Sequence, residues 1–168
     1  MDTSLRYVGK GSAGLCLFTD SDWAGDTKDR KSQGGYVVLN NGSPIAWQSR
    51  KQEIVALSTL EAEYIACSEA TREARFMAQL QRDIFNISET LPIKCDNQGA
   101  INAICTGITT RARTKHIDVR YHNSADLHRQ NVVEFSYVPT LENIADLLTK
   151  GLPKLKHDHM VELLGLRR

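Results

Sequence analysis

Phe18-Thr19-Asp20-Ser21-Asp22-Trp23-Ala24-Gly25, with Asp26 next, is the stretch on which the reading of this chain turns. The run before it, Ala13-Gly14-Leu15-Cys16-Leu17-Phe18, is apolar and of strand length, suited to a buried sheet position. It stops at carboxylates and a glycine. A buried strand that ends at Asp20 fixes an anionic oxygen at a sheet rim, where α/β folds build sites. Asp is also an ordinary turn former, so this residue alone decides little. The question is whether other carboxylates fall at the edges of other elements.

Outward from that strand, residues 26–31 form a charged turn, and Gly35-Tyr36-Val37-Val38-Leu39 reads as a second strand. Asn40-Asn41-Gly42 is a hairpin signal, because Asn and Gly accept the positive φ that tight turns need. Pro44-Ile45-Ala46-Trp47-Gln48-Ser49 is then the third strand of an antiparallel meander. The period changes at Ser58-Thr59-Leu60-Glu61, a capping box. Behind it Ala62, Ala66, Ala70, Ala74, Met77, Leu80 and Ile84 make one apolar stripe at spacings of three and four, predicting a long amphipathic helix. Glu63 borders the stripe in the second turn and is expected to point toward the sheet rim.

Leu91-Pro92-Ile93-Lys94-Cys95 is a fourth strand ended by Asp96, and 97–104 continues as a short helix. A strand after a long helix implies a parallel crossover. A basic stretch, 111–120, leads into a polar helix ending near Gln130. Val132 to Val138 alternates as a fifth strand, 142–150 is a short helix carrying Asp146, and a terminal helix covers 159–164. Residues 1–12 are polar and glycine-bearing and read as a loose segment before a single domain, 13–168.

The 168 residues are long enough for a full core without staples, and the net charge of +1 leaves any nucleic-acid signal to local clusters. Cys16, Cys67, Cys95 and Cys105 lack C-x-x-C spacing and sit in apolar or helical contexts. They read as reduced, buried thiols of an intracellular protein rather than zinc ligands. No apolar segment approaches membrane-spanning length, so no membrane partner is expected.

Asp20 ends strand one, Glu63 lies early in the long helix, Asp96 ends strand four, and Asp146 lies in a late helix. If strands one and four are adjacent and parallel, Asp20 and Asp96 emerge side by side, within reach of Glu63. Clustered carboxylates repel and need a cation, and hard oxygen donors favour Mg²⁺ or Mn²⁺ over zinc. Two such ions roughly 4 Å apart suit phosphodiester cleavage. Taken singly, each of these residues reads better as a turn former or a solvated helix charge. Their order on these elements points to a metal site.

The chain resembles the ribonuclease H domain of copia-type LTR retrotransposons, the C-terminal part of their reverse transcriptase polyprotein. The resemblance rests on 19–26 (TDSDWAGD), 56–66 (ALSTLEAEYIA), 95–98 (CDNQ), 113–122 (RTKHIDVRYH), 137–140 (YVPT) and 145–153 (ADLLTKGLP). It implies an α/β, ribonuclease H-like fold. Its sheet would be mixed and five-stranded, with three antiparallel and two parallel strands, flanked by helices. It further implies hydrolysis of the RNA strand of RNA–DNA hybrids during reverse transcription, with two Mg²⁺ ions (Mn²⁺ as substitute) held by Asp20, Glu63, Asp96 and Asp146. Asp20 is preferred to Asp22 on strand-end position, and Glu63 to Glu61 on the motif match. The implied partners are the hybrid and the polymerase domain of the parent polyprotein, with residues 1–12 as a remnant of its upstream part. The implied location is cytoplasmic, within virus-like particles. The chain departs from the family's pattern at 107–112 and 123–126, and no His lies between strand five and Asp146.

Smaller signals carry two readings each. Arg111, Arg113, Lys115 and Arg120, with His116 and His122, either grip hybrid phosphates or solvate a helix face. Asn97 and Gln98 either hydrogen-bond 2′-hydroxyls or cap the short helix. Trp23 and Trp47 either stack on nucleic acid or pack in the core, the core being favoured for Trp47. A rival function, from a different class, is a non-catalytic ribonuclease H-like domain that binds or tethers nucleic acid or protein.

Overall fold

A computed structural model describes residues 4, 5, 7, 14–107 and 123–167. Strand β1 is Ser4–Leu5, β2 Leu15–Asp22, β3 Gln33–Asn40 and β4 Ser43–Lys51. Helix α1 spans Thr59–Phe85, β5 Leu91–Cys95 and α2 Gln98–Thr106. Residues 123–129 are helical (α3). Strand β6 is Val133–Tyr137, followed by a 3-10 helix at Ile144–Leu148, α4 at Lys154–Leu163 and β7 at Leu166–Arg167. The central sheet is five-stranded in the order β4-β3-β2-β5-β6. Its left half is antiparallel, while β2–β5 and β5–β6 are parallel. This is the mixed sheet that the strand spacing and the family resemblance imply. Within the segment expected to be loose, Ser4 and Leu5 pair antiparallel with Arg167 and Leu166.

Alternation along β2 sends its side chains to two different layers. Leu15 and Leu17 join Tyr64, Cys67, Ala70 and Ala74 of α1 in the larger core, with Ile93 of β5 and Ile104 of α2. Phe18 faces the other way, with Val37 and Leu39, onto Ile144, Ala145 and Met160. Each fully buried Leu, Ile or Phe contributes about 1.5–3 kcal/mol. Small Ala side chains along α1 let the helix lie close to the sheet.

Local chemistry sets the element ends. The Glu61 N–H donates to Ser58 Oγ at 3.1 Å, the first half of the expected capping box. The Glu61 carboxylate reaches back one residue further than the box requires, accepting the Leu57 N–H at 2.7 Å. Asn86, at φ 56°, closes α1 in a left-handed cap. Asn41 and Gly42 take positive φ at the hairpin tip, as the Asn-Gly signal predicts.

Several expectations are corrected. Strand β2 does not end at Asp20: it runs on to Asp22, because β3 continues to pair with it through Asp20↔Gly35 and Asp22↔Gln33. Only the parallel partner stops short, at Thr19↔Cys95. Asp146 sits on a 3-10 helix rather than an α-helix. Leu80 and Ile84 of the apolar stripe are exposed, since α1 outruns the core it covers. Trp47 is 61% exposed on edge strand β4 and is no core residue. Cys67 and Cys95 are buried, but Cys16 is half-buried and Cys105 exposed.

Gly35 has a steric role. A Cβ there would lie 2.8 Å from Leu148 Cβ, 3.1 Å from the Gln48 carbonyl oxygen and 3.1 Å from Thr149 Cγ2. The 3-10 turn therefore rests directly on β3 backbone. Gly35→Ala should lower unfolding stability by about 1–3 kcal/mol in urea titration, by overpacking. Gly151→Ala, whose Cβ would meet nothing within 4 Å, should stay within about 0.5 kcal/mol of the unsubstituted protein.

Candidate metal centre

The sheet builds the site at the rim where β2 and β5 run parallel. Register Thr19↔Cys95, carried one step on, sets Asp20 beside Asp96. Asp20 is 1% exposed and lies on the same face as Phe18. Asp146 reaches it because buried Asn143 clamps the 3-10 helix to β2: its amide donates to the Thr19 carbonyl at 3.0 Å. Its carbonyl oxygen accepts the Ala145 N–H at 3.3 Å. Glu63 comes from the α1 side, where Oε1 accepts the Ser21 N–H at 3.3 Å and Oε2 meets the Cys95 thiol at 3.8 Å.

These four carboxylates form one cluster with Asp96 at its centre. Ligand atoms of Asp20, Asp96 and Asp146 lie within 4.8 Å of one another, and so do those of Glu63, Cys95 and Asp96. Asp22 is not among them. Its carboxylate folds back over Gly25, where an added Cβ would lie 2.2 Å from Oδ2. Asp96 Oδ2 accepts the Thr140 hydroxyl at 2.7 Å, and Asp20 Oδ2 accepts that of Thr149.

Burial pushes the Asp20 carboxyl up to about 6; Asp146 and Asp96 add to the rise, while Lys150 and Thr149 oppose it. Glu63 is pushed up to about 10, again mainly by burial, then by Asp20, Cys95 and Asp96. Burial works against the Lys150 ammonium, yet its hydrogen bond to Asp146 and the charge of Asp20 outweigh it and its pKa rises. The donor set fits a divalent cation: acidic oxygens converge in a buried place where the negative form is disfavoured without a countercharge.

No family model matches the chain. It is 38% identical over 173 residues to the retrovirus-related Pol polyprotein from transposon TNT 1-94 of Nicotiana tabacum, covering 96% of this chain and 13% of that protein. It is 33% identical over 165 residues to the corresponding polyprotein from transposon RE1 of Arabidopsis thaliana, covering 96% of this chain and 11% of that one. The chain thus spans only a small part of these relatives' length. Among solved structures, LC11-RNase H1, isolated from compost, superposes with TM-score 0.59 at 17% identity, over 81% of this chain and 92% of that one. That protein also has a structure in complex with an RNA/DNA hybrid, matched at TM-score 0.58 and 16% identity over 80% of this chain and 93% of that one. The prototype foamy virus protease-reverse transcriptase gives TM-score 0.54 at 13% identity, over 98% of this chain and 22% of that one. The chain is homologous to a segment of retrotransposon Pol polyproteins and has the ribonuclease H fold.

On this ribonuclease H fold, the carboxylates expected from the sequence come together, and the other expected site residues divide. Asn97 caps α2, its Oδ1 accepting the Ala100 N–H at 3.0 Å, and exposed Gln98 donates to Asn102 Oδ1 at 3.1 Å. Arg113, Lys115 and Arg120 lie outside the described residues. Trp23 donates its indole N–H to the Ala56 carbonyl at 3.0 Å and stays 44% exposed. Sequence reasoning missed Thr140, Thr149, Lys150 and Lys156. Lys150 had a usable signal, four residues after Asp146 in a helical stretch. Thr140 and Thr149 stood inside quoted motifs without a role, and Lys156 had no local signal.

Without divalent ions, the two raised carboxyls make stability pH-dependent. Both have folded pKa values above their ordinary ones, 3.8 for Asp20 and 4.5 for Glu63, so the folded chain binds more protons. Their contribution is complete below about pH 4 and is lost as pH rises, through about 6 for Asp20 and toward about 10 for Glu63. In EDTA the unfolding free energy should therefore fall between pH 5 and 8, by at most about 1.4 kcal/mol per pH unit per group, and the melting temperature with it. Glu63→Gln should flatten that fall; an equally steep decline in the variant would refute the assignment.

Proposed function

We propose that the chain is the ribonuclease H domain of a copia-type retrotransposon reverse transcriptase. It hydrolyses the RNA strand of RNA–DNA hybrids with two Mg²⁺ ions, or Mn²⁺ in their place, held by Asp20, Glu63, Asp96 and Asp146. The observation that carries this reading is the convergence of the Asp20–Asp96–Asp146 and Glu63–Cys95–Asp96 oxygens and thiol, each group within 4.8 Å, with Asp96 common to both. The ions supply Lewis-acid stabilisation of the oxygens that gain charge in phosphodiester hydrolysis. The protein's part is positioning. Ser21 N–H orients Glu63, Thr140 orients Asp96, and Asn143 fixes the turn that carries Asp146.

Asn97 and Gln98 follow Asp96 directly in the chain. The Asn97 carbonyl oxygen is engaged in the cap, which leaves its amide as the donor for a 2′-hydroxyl. Arg113, Lys115 and Arg120 would contact hybrid phosphates, and the polymerase portion of a parent polyprotein would be the covalent partner. Among the described residues, no helix is long and apolar enough to cross a membrane.

A second reading, a non-catalytic binding or tethering domain, is favoured by Lys150 and Lys156, whose ammoniums already neutralise Asp146. Cleavage of a labelled hybrid separates the two. The proposal expects Mg²⁺-dependent cleavage of the RNA strand, poorly supported by Ca²⁺, that disappears in Asp20→Asn, Glu63→Gln and Asp96→Asn with the fold retained by circular dichroism. Intact hybrid in every cation, with binding preserved, would establish the tethering reading instead.

Phosphate contacts release counterions, so Arg113→Ala or Lys115→Ala should each flatten the log–log salt dependence of hybrid binding by roughly 0.9. The saturated cleavage rate should hardly change. Unaltered affinity and slope in both variants would remove these residues from the substrate surface.

A further inference from the structure

The two sides of the carboxylate cluster are not equivalent. Asp146 is 0% exposed and carries two ammonium groups. Lys150 places Nζ 2.8 Å from Asp146 Oδ1 and 3.3 Å from Asp20 Oδ2, bridging the two carboxylates. Lys156, from α4, meets the other oxygen, Asp146 Oδ2. On the opposite side, Glu63 is held by the Ser21 N–H and the Cys95 thiol, with no ammonium paired to it among the described residues. Asp96 accepts a hydroxyl there.

We propose that Lys150 is a built-in counter-cation that occupies the Asp20–Asp146 side and exchanges with a divalent ion there. Cations then fill the cluster in order, first at Glu63–Asp96 and second at Asp20–Asp146. This rests on the metal-site reading above and adds a sequence to it. The geometry supports exchange rather than a fixed salt bridge. An ion shared by Asp20 and Asp146 needs the oxygens that Lys150 now holds, and like charges at that separation repel strongly. The Lys150 side chain is 31% exposed, so its flexible stem has solvent to move into. Lys156 holds the far oxygen, so Asp146 keeps its orientation and part of its neutralisation while Oδ1 changes partner. Lys150 is therefore a positioning residue, in competition with the cation and acting before any substrate arrives.

The test is Mn²⁺ binding by calorimetry to the whole chain, with no substrate present. The unsubstituted protein should bind in two phases. Lys150→Met should leave the first unchanged and tighten the second by about five- to tenfold, the lower end of linked-ligand coupling, as suits a part-exposed ammonium. Lys150→Arg keeps the charge and adds a bidentate fork, so it should weaken the second phase. If Lys150→Met fails to fold without metal, Lys150→Arg carries the test alone. Thermal melts give a second readout: Lys150→Met should lose stability in EDTA and regain it in saturating Mn²⁺, with a larger metal-induced gain than the parent. A binding curve identical to the parent's, or an equal loss with and without Mn²⁺, overturns the exchange. Failure of the metal reading looks different, because neither parent nor variant would bind Mn²⁺, and the exchange would fall with it.

Discussion

Three carboxylates are almost wholly buried at one sheet rim, with Asp20 1%, Glu63 7% and Asp146 0% exposed, and most other features of the fold answer to that constraint. An unpaired buried carboxylate costs several kcal/mol even after relaxation. The chain meets the cost in three ways. Asp146 is ion-paired to Lys150 and Lys156. Asp20 accepts the Thr149 hydroxyl and shares Lys150. Among the described residues no ammonium pairs with Glu63, and burial pushes its pKa up to about 10, toward the uncharged form, when no cation is bound. One site thus holds one half compensated by ammoniums and another held only by hydrogen bonds.

Such a cluster is possible only on a rigid base. Asn143 ties the turn carrying Asp146 to the backbone of β2 at Thr19, and Thr19 in turn donates to the Gly35 carbonyl at 3.2 Å. Gly35 pairs with Asp20 and gives the room in which Leu148 and Thr149 settle. Two of these contacts, Asn143 on Thr19 and the 3-10 turn on Gly35, join residues more than a hundred positions apart in sequence. The site's geometry is therefore a property of the completed fold, and no local segment carries it.

That is also why the sequence exposed some of the site and hid the rest. The Ala stripe and the Ser58 cap are local signals, so α1 and the direction of Glu63 were legible. The Asp20–Asp96 neighbourhood was legible too, because a strand after a long helix forces a parallel crossover. Asp20 looked like a strand end because its apolar run stops there, but strand length is set by pairing with Gly34 and Gln33, which polarity does not encode. Trp47 was misplaced for a related reason. Its aromatic character suggested a core, but β4 is an edge strand whose outer face is left open at that position. Lys156 was illegible, since nothing local links a surface-type lysine in α4 to a carboxylate ten residues earlier.

The source of the countercharge has a consequence for how the site comes into being. Asp146, Lys150 and Lys156 all belong to the segment after β6, and the same segment supplies Ile144, Ala145 and Met160, which cover Phe18, Val37 and Leu39. Docking that segment closes the second hydrophobic layer and delivers both ammoniums in one event. It also brings in Asp146, a new charge next to Asp20. Had the segment carried the carboxylate alone, the apolar gain would have been set against the repulsion of two buried anions until a metal arrived. With Lys150 bridging Asp20 and Asp146, the layer can close in the absence of metal. Folding thereby needs no metal: the ammoniums compensate the buried carboxylates, and the part-exposed Lys150 side chain would leave room for a cation to replace it.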